Sequence, residues 1–126
     1  MNIASETFWT AVVKAGNAGS ALSAKAQHLL ALTISLEIGE SRRVVELHRG
    51  RAALLPAPPL RGVTIRIAGP AEEWQRLVSG EIPYAHAVNV VHGRLRLQGD
   101  IIEAAWATPA LWELFRVATR VFKEGA

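Results

Sequence analysis

The stretch VTIRIAGPAEEWQRLVSGE, Val63 to Glu81, changes its hydrophobic period at a Gly-Pro pair. Before the pair, Val63, Ile65 and Ile67 alternate with Thr64 and Arg66, the period of a half-buried strand. After it, Trp74, Leu77 and Val78 share one helical face. Proline suits the first helical turn, and Glu72 and Glu73 suit the positive end of the helix dipole. Glu72 and Arg76 form an i,i+4 pair, and Gly80 sits where helices end. Here a strand hands over to a helix, and with a mostly antiparallel sheet covered by helices on one apolar face the chain is expected to be α+β.

Upstream, Leu30, Leu32, Ile34, Leu36 and Ile38 fall on one side of a strand, with Ala31, Thr33, Ser35 and Glu37 on the other. Gly39 to Ser41 supplies a turn, and Arg43 to His48 returns as a second strand with Val45 and Leu47 inward. Arg49-Gly50 makes the next turn, Ala52 to Leu55 a short third strand, and the PAPP run at 56–59 stops it. Residues 5–15 read as a helix presenting Phe8, Val12 and Ala15, with Trp9 and Val13 beside them and Gly16 as its stop. A short helix follows from Ser20.

Downstream, residues 83–91 fit two patterns. Tyr84, Val88 and Val91 fit a helical face, while the β-branched content favours a strand; a short helix is expected. Gly93 to Gln98 is the fifth strand, with Leu95 and Leu97 inward. Asp100 is the only aspartate, and Glu103 stands three residues later, so Asp100 reads as a helix cap rather than a catalytic carboxylate. Thr108-Pro109 reads as the cap and first position of the last helix. There Glu113, Arg116, Arg120 and Lys123 form one stripe, and nearly everything else is apolar. Three readings stand for that helix: deep core, wall of a ligand tunnel, or a dimer or partner surface. The expected architecture has two layers: a five-stranded, mostly antiparallel sheet, helices on one face and a hydrophobic cavity between. The other face, with Thr33, Ser35, Glu46, His48, Thr64, Arg66, Arg94 and Arg96, is expected to be wet.

Composition narrows the function. The 126 residues fit one domain, and 50% of them are hydrophobic, enough for a real core. No cysteine is present, which excludes disulfides and thiolate metal sites and fits a reducing, cytoplasmic setting. The N-terminus lacks a basic-then-apolar leader pattern, and FKEGA is not a peroxisomal address. The net charge of +3 comes from 11 arginines and 3 lysines scattered along the chain, which argues against nucleic acid and leaves a transient membrane contact open. His28, His48, His86 and His92 are far apart in sequence, and no HExxH, GxSxG or phosphate-loop pattern occurs. No catalytic set, metal site or cofactor is therefore expected.

Three pieces stand in order: VVELHRGRAALLP, VTIRIAGPAEEWQRLVSGE and HGRLRLQGDIIEAAW. Together they resemble the sterol carrier protein-2 family, the sterol-binding or nonspecific lipid-transfer domain. The likeness runs over residues 30–122, with 1–28 as a helical N-terminal segment it does not cover; it departs at the Arg49-Gly50 turn and in the tryptophan-rich close. The resemblance implies an apolar tunnel that carries a fatty acid, acyl-CoA, sterol-like or isoprenoid lipid without catalysis. The alternatives are an accessory protein that presents a hydrophobic substrate to a partner enzyme, and a small-molecule enzyme in the same pocket. Trp106, Leu111, Trp112, Phe115 and Phe122 are the expected tunnel residues, with Leu77 facing them and Tyr84 and Val88 at an entrance. Trp74 is expected to be plain core. A homodimer stays open.

Overall fold

Alternating β-branched and polar residues build an open sheet, and helices cover its apolar face. The computed structural model describes residues 2–89 and 94–125. In chain order the elements are α1 (Glu6–Ala18), α2 (Ala21–Ala26), β1 (Leu32–Ile38), β2 (Ser41–His48), β3 (Arg51–Leu55), β4 (Ile65–Gly69), α3 (Ala71–Val78), α4 (Tyr84–Ala87), β5 (Val88–Asn89), β6 (Leu95–Gly99), α5 (Ile101–Trp106) and α6 (Thr108–Glu124). The sheet order is β3-β2-β1-β4-β6-β5. The pairs β1–β2, β2–β3 and β4–β6 are antiparallel; β1–β4 and β5–β6 are parallel. The five expected strands are present, and β5 adds a two-residue edge strand.

Register aligns the apolar residues into rows. Val45, Ile34 and Ile65 stand side by side, as do Leu36, Ile67 and Leu97. Each fully buried aliphatic side chain of this kind stabilises by about 1.5–3 kcal/mol. The Arg49-Gly50 hairpin has positive φ at both central residues (49° and 89°), the primed turn that matches strand twist.

The outer face is less wet than its alternation implies. Thr33 and Ser35 are buried. Arginines from the flanking segments lie over the central strand's small hydroxyls. Arg61 donates to Thr33 Oγ1 and pairs with Glu46. Arg42 Nε donates to Ser35 Oγ at 2.8 Å, and Ser35 donates to Glu37 at 3.0 Å. Arg66 grips Glu37 through two bonds of 2.8 and 3.0 Å, and that grip, with Ser35 and Arg42, holds the carboxyl below its ordinary range.

Other local expectations shift. Leu30 is exposed; Leu29 is the buried residue, and β1 starts at Leu32. Gly16 does not stop α1 but lies inside it, where a Cβ would come within 3.0 Å of Leu22. In the last turn of α1, the Asn17 amide bonds both the N–H and the C=O of Ala52 at 2.8 Å, tying the helix to edge strand β3. Arg76 pairs with Glu73 (3.9 Å), not Glu72; Glu73 also meets Arg94 at 3.6 Å. Residues 84–89 realise both patterns in turn, α4 and then β5. Val91, His92 and Gly93 lie outside the described residues. Ala107, not Thr108, is the joint before α6, and the Thr108 hydroxyl donates back to Ala104 O at 3.1 Å.

Candidate functional site

The site is built from the corner where the sheet turns into its closing helices. Gly99 takes φ 111°, and a Cβ there would sit 2.5 Å from Thr64 O, so only glycine fits. Asp100 then caps α5 by accepting from the Glu103 N–H at 3.0 Å, as expected from the sequence. The chain passes Ala107 into α6, which lies across α1, α2 and α3.

Phe115 is the hub of α6. Its ring meets Trp9 at 6.4 Å and Trp74 at 6.1 Å, and Tyr84 stacks on it at 5.5 Å with 23° between the rings. Stacked and edge-on aromatic pairs add to plain area burial. Trp9 and Trp74 are fully buried with their indole N–H groups satisfied by Ile3 O and Glu37 O. Trp74 is thus core.

Against this hub lies an apolar cleft of about 350 Å³, lined by Leu77, Ile82, Tyr84, Trp112, Phe115 and Thr119, with Arg116 among its walls. A second cleft of about 240 Å³ is lined by Tyr84, Val88, Leu97, Ile101, Ala104 and Thr108. Tyr84 lines both clefts. Burial pushes the Tyr84 phenol up to about 12, so it is neutral at any physiological pH.

Four of the expected residues, Leu77, Tyr84, Trp112 and Phe115, meet in the first cleft. Val88 joins Tyr84 in the second. Leu111 is fully buried in the core and lines neither cleft, and Phe122 packs against the core's edge. Trp106 stands outside both, 60% exposed, with His28 edge-on at 5.0 Å. The sequence reading did not assign Ile82, Thr119 and Arg116 to a cleft. Ile82 was readable as the one apolar residue between Gly80 and Pro83. Glu113, placed in the polar stripe, is buried instead. Lys25 from α2 reaches it at 3.4 Å and Arg116 at 3.2 Å. His86 and Glu103 are exposed and line neither cleft. No helix among the described residues is long and apolar enough to cross a membrane.

Two layers, helices on one sheet face and an apolar cleft beneath the closing helix make this an α+β domain with a covered sheet. Solved structures carry the comparison. Sterol carrier protein 2 superposes with a TM-score of 0.74 at 20% identity, over 93% of this chain and 97% of its own. A conserved hypothetical protein of Thermus thermophilus, described as possibly a sterol carrier protein, gives 0.74 at 21% identity, over 96% and 90%. The UbiJ-SCP2 ubiquinone synthesis protein gives 0.60 at 15% identity, over 86% and 90%. The chain therefore has the sterol carrier protein 2 fold, as the resemblance implied. No protein-family model matches the chain, and no curated protein matches it in sequence.

Proposed function

We propose that this protein binds and carries a long hydrophobic molecule, without catalysis, in the paired clefts on either side of Tyr84. The observation that carries the reading is the first cleft: Leu77, Ile82, Trp112 and Phe115 form an apolar wall open to solvent. Each methylene moved from water into such a wall is worth about 0.8 kcal/mol, so a long acyl or isoprenoid chain needs few polar contacts. The sterol carrier fold of the neighbours supports the same reading. Organic extraction of the purified protein, followed by mass spectrometry, should release a lipid in near-stoichiometric amount. A protein that yields none and takes up none would count against it.

A second reading has one observation in its favour: a neighbour of the same fold is a ubiquinone synthesis protein. In that reading the clefts present a hydrophobic substrate to a partner enzyme, and a stable complex with that enzyme is the expected result. The enzymatic reading has less support. The groups it would need, His86 and Glu103, stand away from the clefts, and Tyr84 is held as a neutral phenol.

A further inference from the structure

We propose that the sheet face turned away from the helices docks an acidic, partly apolar segment of a partner protein. Strand register gathers arginines there. Arg42, Arg51, Arg66 and Arg96 stand on the outer side of β2, β3, β4 and β6, and Arg61 lies over the same face from the crossover between β3 and β4. All five are exposed. Among the described residues the carboxylates on this face are Glu37 and Glu46, both half-buried and already held by Arg66 and Arg61. The face thus carries an excess of three positive charges, as many as the whole chain. Its rim does not cancel them. Arg94 is matched there by Glu73 and Arg43 by Glu6, and Glu40 and Asp100 stand against Arg49, so an excess of two survives. Arg51 and Arg96 have no ion-pair partner among the described residues. Carboxylates therefore match this face in sign, and guanidinium groups pair with them in well-defined geometry.

A recess beside these arginines favours a protein segment over other anions. Next to Arg42 a cleft of about 390 Å³ is walled by Val44, Leu54, Leu55, Pro56 and Pro58. Such a recess suits an apolar side chain set among acidic ones, the buried anchor of a protein contact. A phosphate chain has nothing to place in it. Nor does the face carry an aromatic ring among the described residues, so the stacking that holds single-stranded nucleic acid is missing. Among the described residues Leu60 alone projects a large apolar side chain beside these arginines, too little to anchor in a bilayer. A second copy would set arginine against arginine. From β2 to β6 the cationic row crosses three strand spacings, about 14 Å, a distance that a short extended segment covers. The lipid clefts lie on the other side of the sheet, so a docked partner and a carried ligand do not compete, and this contact does not rest on the ligand reading.

The test is fluorescence anisotropy of the purified chain with a fluorescein-labelled peptide that alternates glutamate and leucine. Saturable binding is expected, weakened by salt. Arg96→Glu reverses a charge on the face and should weaken it about tenfold. Arg120→Glu makes the same change of net charge on exposed α6, on the helical side, and should alter it by less than about twofold. The same peptide with serine in place of leucine should bind several-fold more weakly, because it leaves the recess empty. Both variants should keep native circular dichroism and the wild type's uptake of a fluorescent fatty acid. Absence of peptide binding would overturn the docking face, as would binding that Arg96→Glu leaves intact or that Arg120→Glu weakens as much. Equal binding of the serine peptide, or tighter binding of oligothymidylate or phosphatidylglycerol vesicles at a site that Arg96→Glu disrupts, would overturn a protein segment as the occupant. Failure of the wild type to take up fatty acid would sink the ligand reading alone.

Discussion

Asp100 and Tyr84 show what single side chains contribute to this fold and its site. Asp100 satisfies an orphan amide at the start of α5 and touches no cleft. Asp100→Ala should cost about 1 kcal/mol in urea unfolding and leave ligand uptake unchanged. Loss of uptake with full stability would contradict the cap. Tyr84 is the only tyrosine, so an ultraviolet pH titration of the native protein reports it alone. The midpoint should fall at about 12, against an ordinary 10. The raised value means that the unfolded chain ionises first. Stability that is intact below pH 10 should therefore drain away as pH rises toward 12. The Asp100 cap was legible because capping is written within four residues. The burial of Glu113 was not, because its partner Lys25 lies 88 positions away on α2.

Helix α6 presents a different environment on each side. Leu111, Leu114, Val117 and Ala118 are core; Trp112 and Phe115 wall the first cleft; Arg116, Arg120 and Lys123 face water. Phe115 belongs to both core and cleft, so its loss should be felt twice. Phe115→Ala should destabilise by about 3–5 kcal/mol, the range for a buried aromatic. Phe115→Leu keeps much of the volume and should cost less, yet it removes the ring on which Tyr84 stacks. In Phe115→Leu the Tyr84 titration midpoint should fall toward 10 as the phenol is released to solvent. Thermal unfolding and ultraviolet titration check the two effects separately. An apolar helix reads the same from sequence whether its surface meets core or cleft. Only the neighbouring α3 and α4 decide which, and their approach is a tertiary fact.

At the scale of the molecule, periodicity was enough for the layers. Val63 to Ile67 and Leu95 to Leu97 alternate cleanly because one face of each packs under the helices and the other does not. The parallel β1–β4 pair could not be read in this way, since it joins segments separated by two strands and a proline run. The place of Tyr84 in both clefts was equally invisible. It depends on α4 ending after one turn and giving way to β5 at the sheet edge. The central claim is that the space around Tyr84 holds a long hydrophobic ligand. Fluorescence titration with a long-chain fluorescent fatty acid tests it most directly, comparing wild type with Trp112→Asp, which places a charge on a half-exposed cleft wall. Saturable uptake near one ligand per chain, weakened about tenfold or more by Trp112→Asp, is the predicted result. No uptake by the wild type, or uptake that Trp112→Asp leaves unchanged, would contradict it.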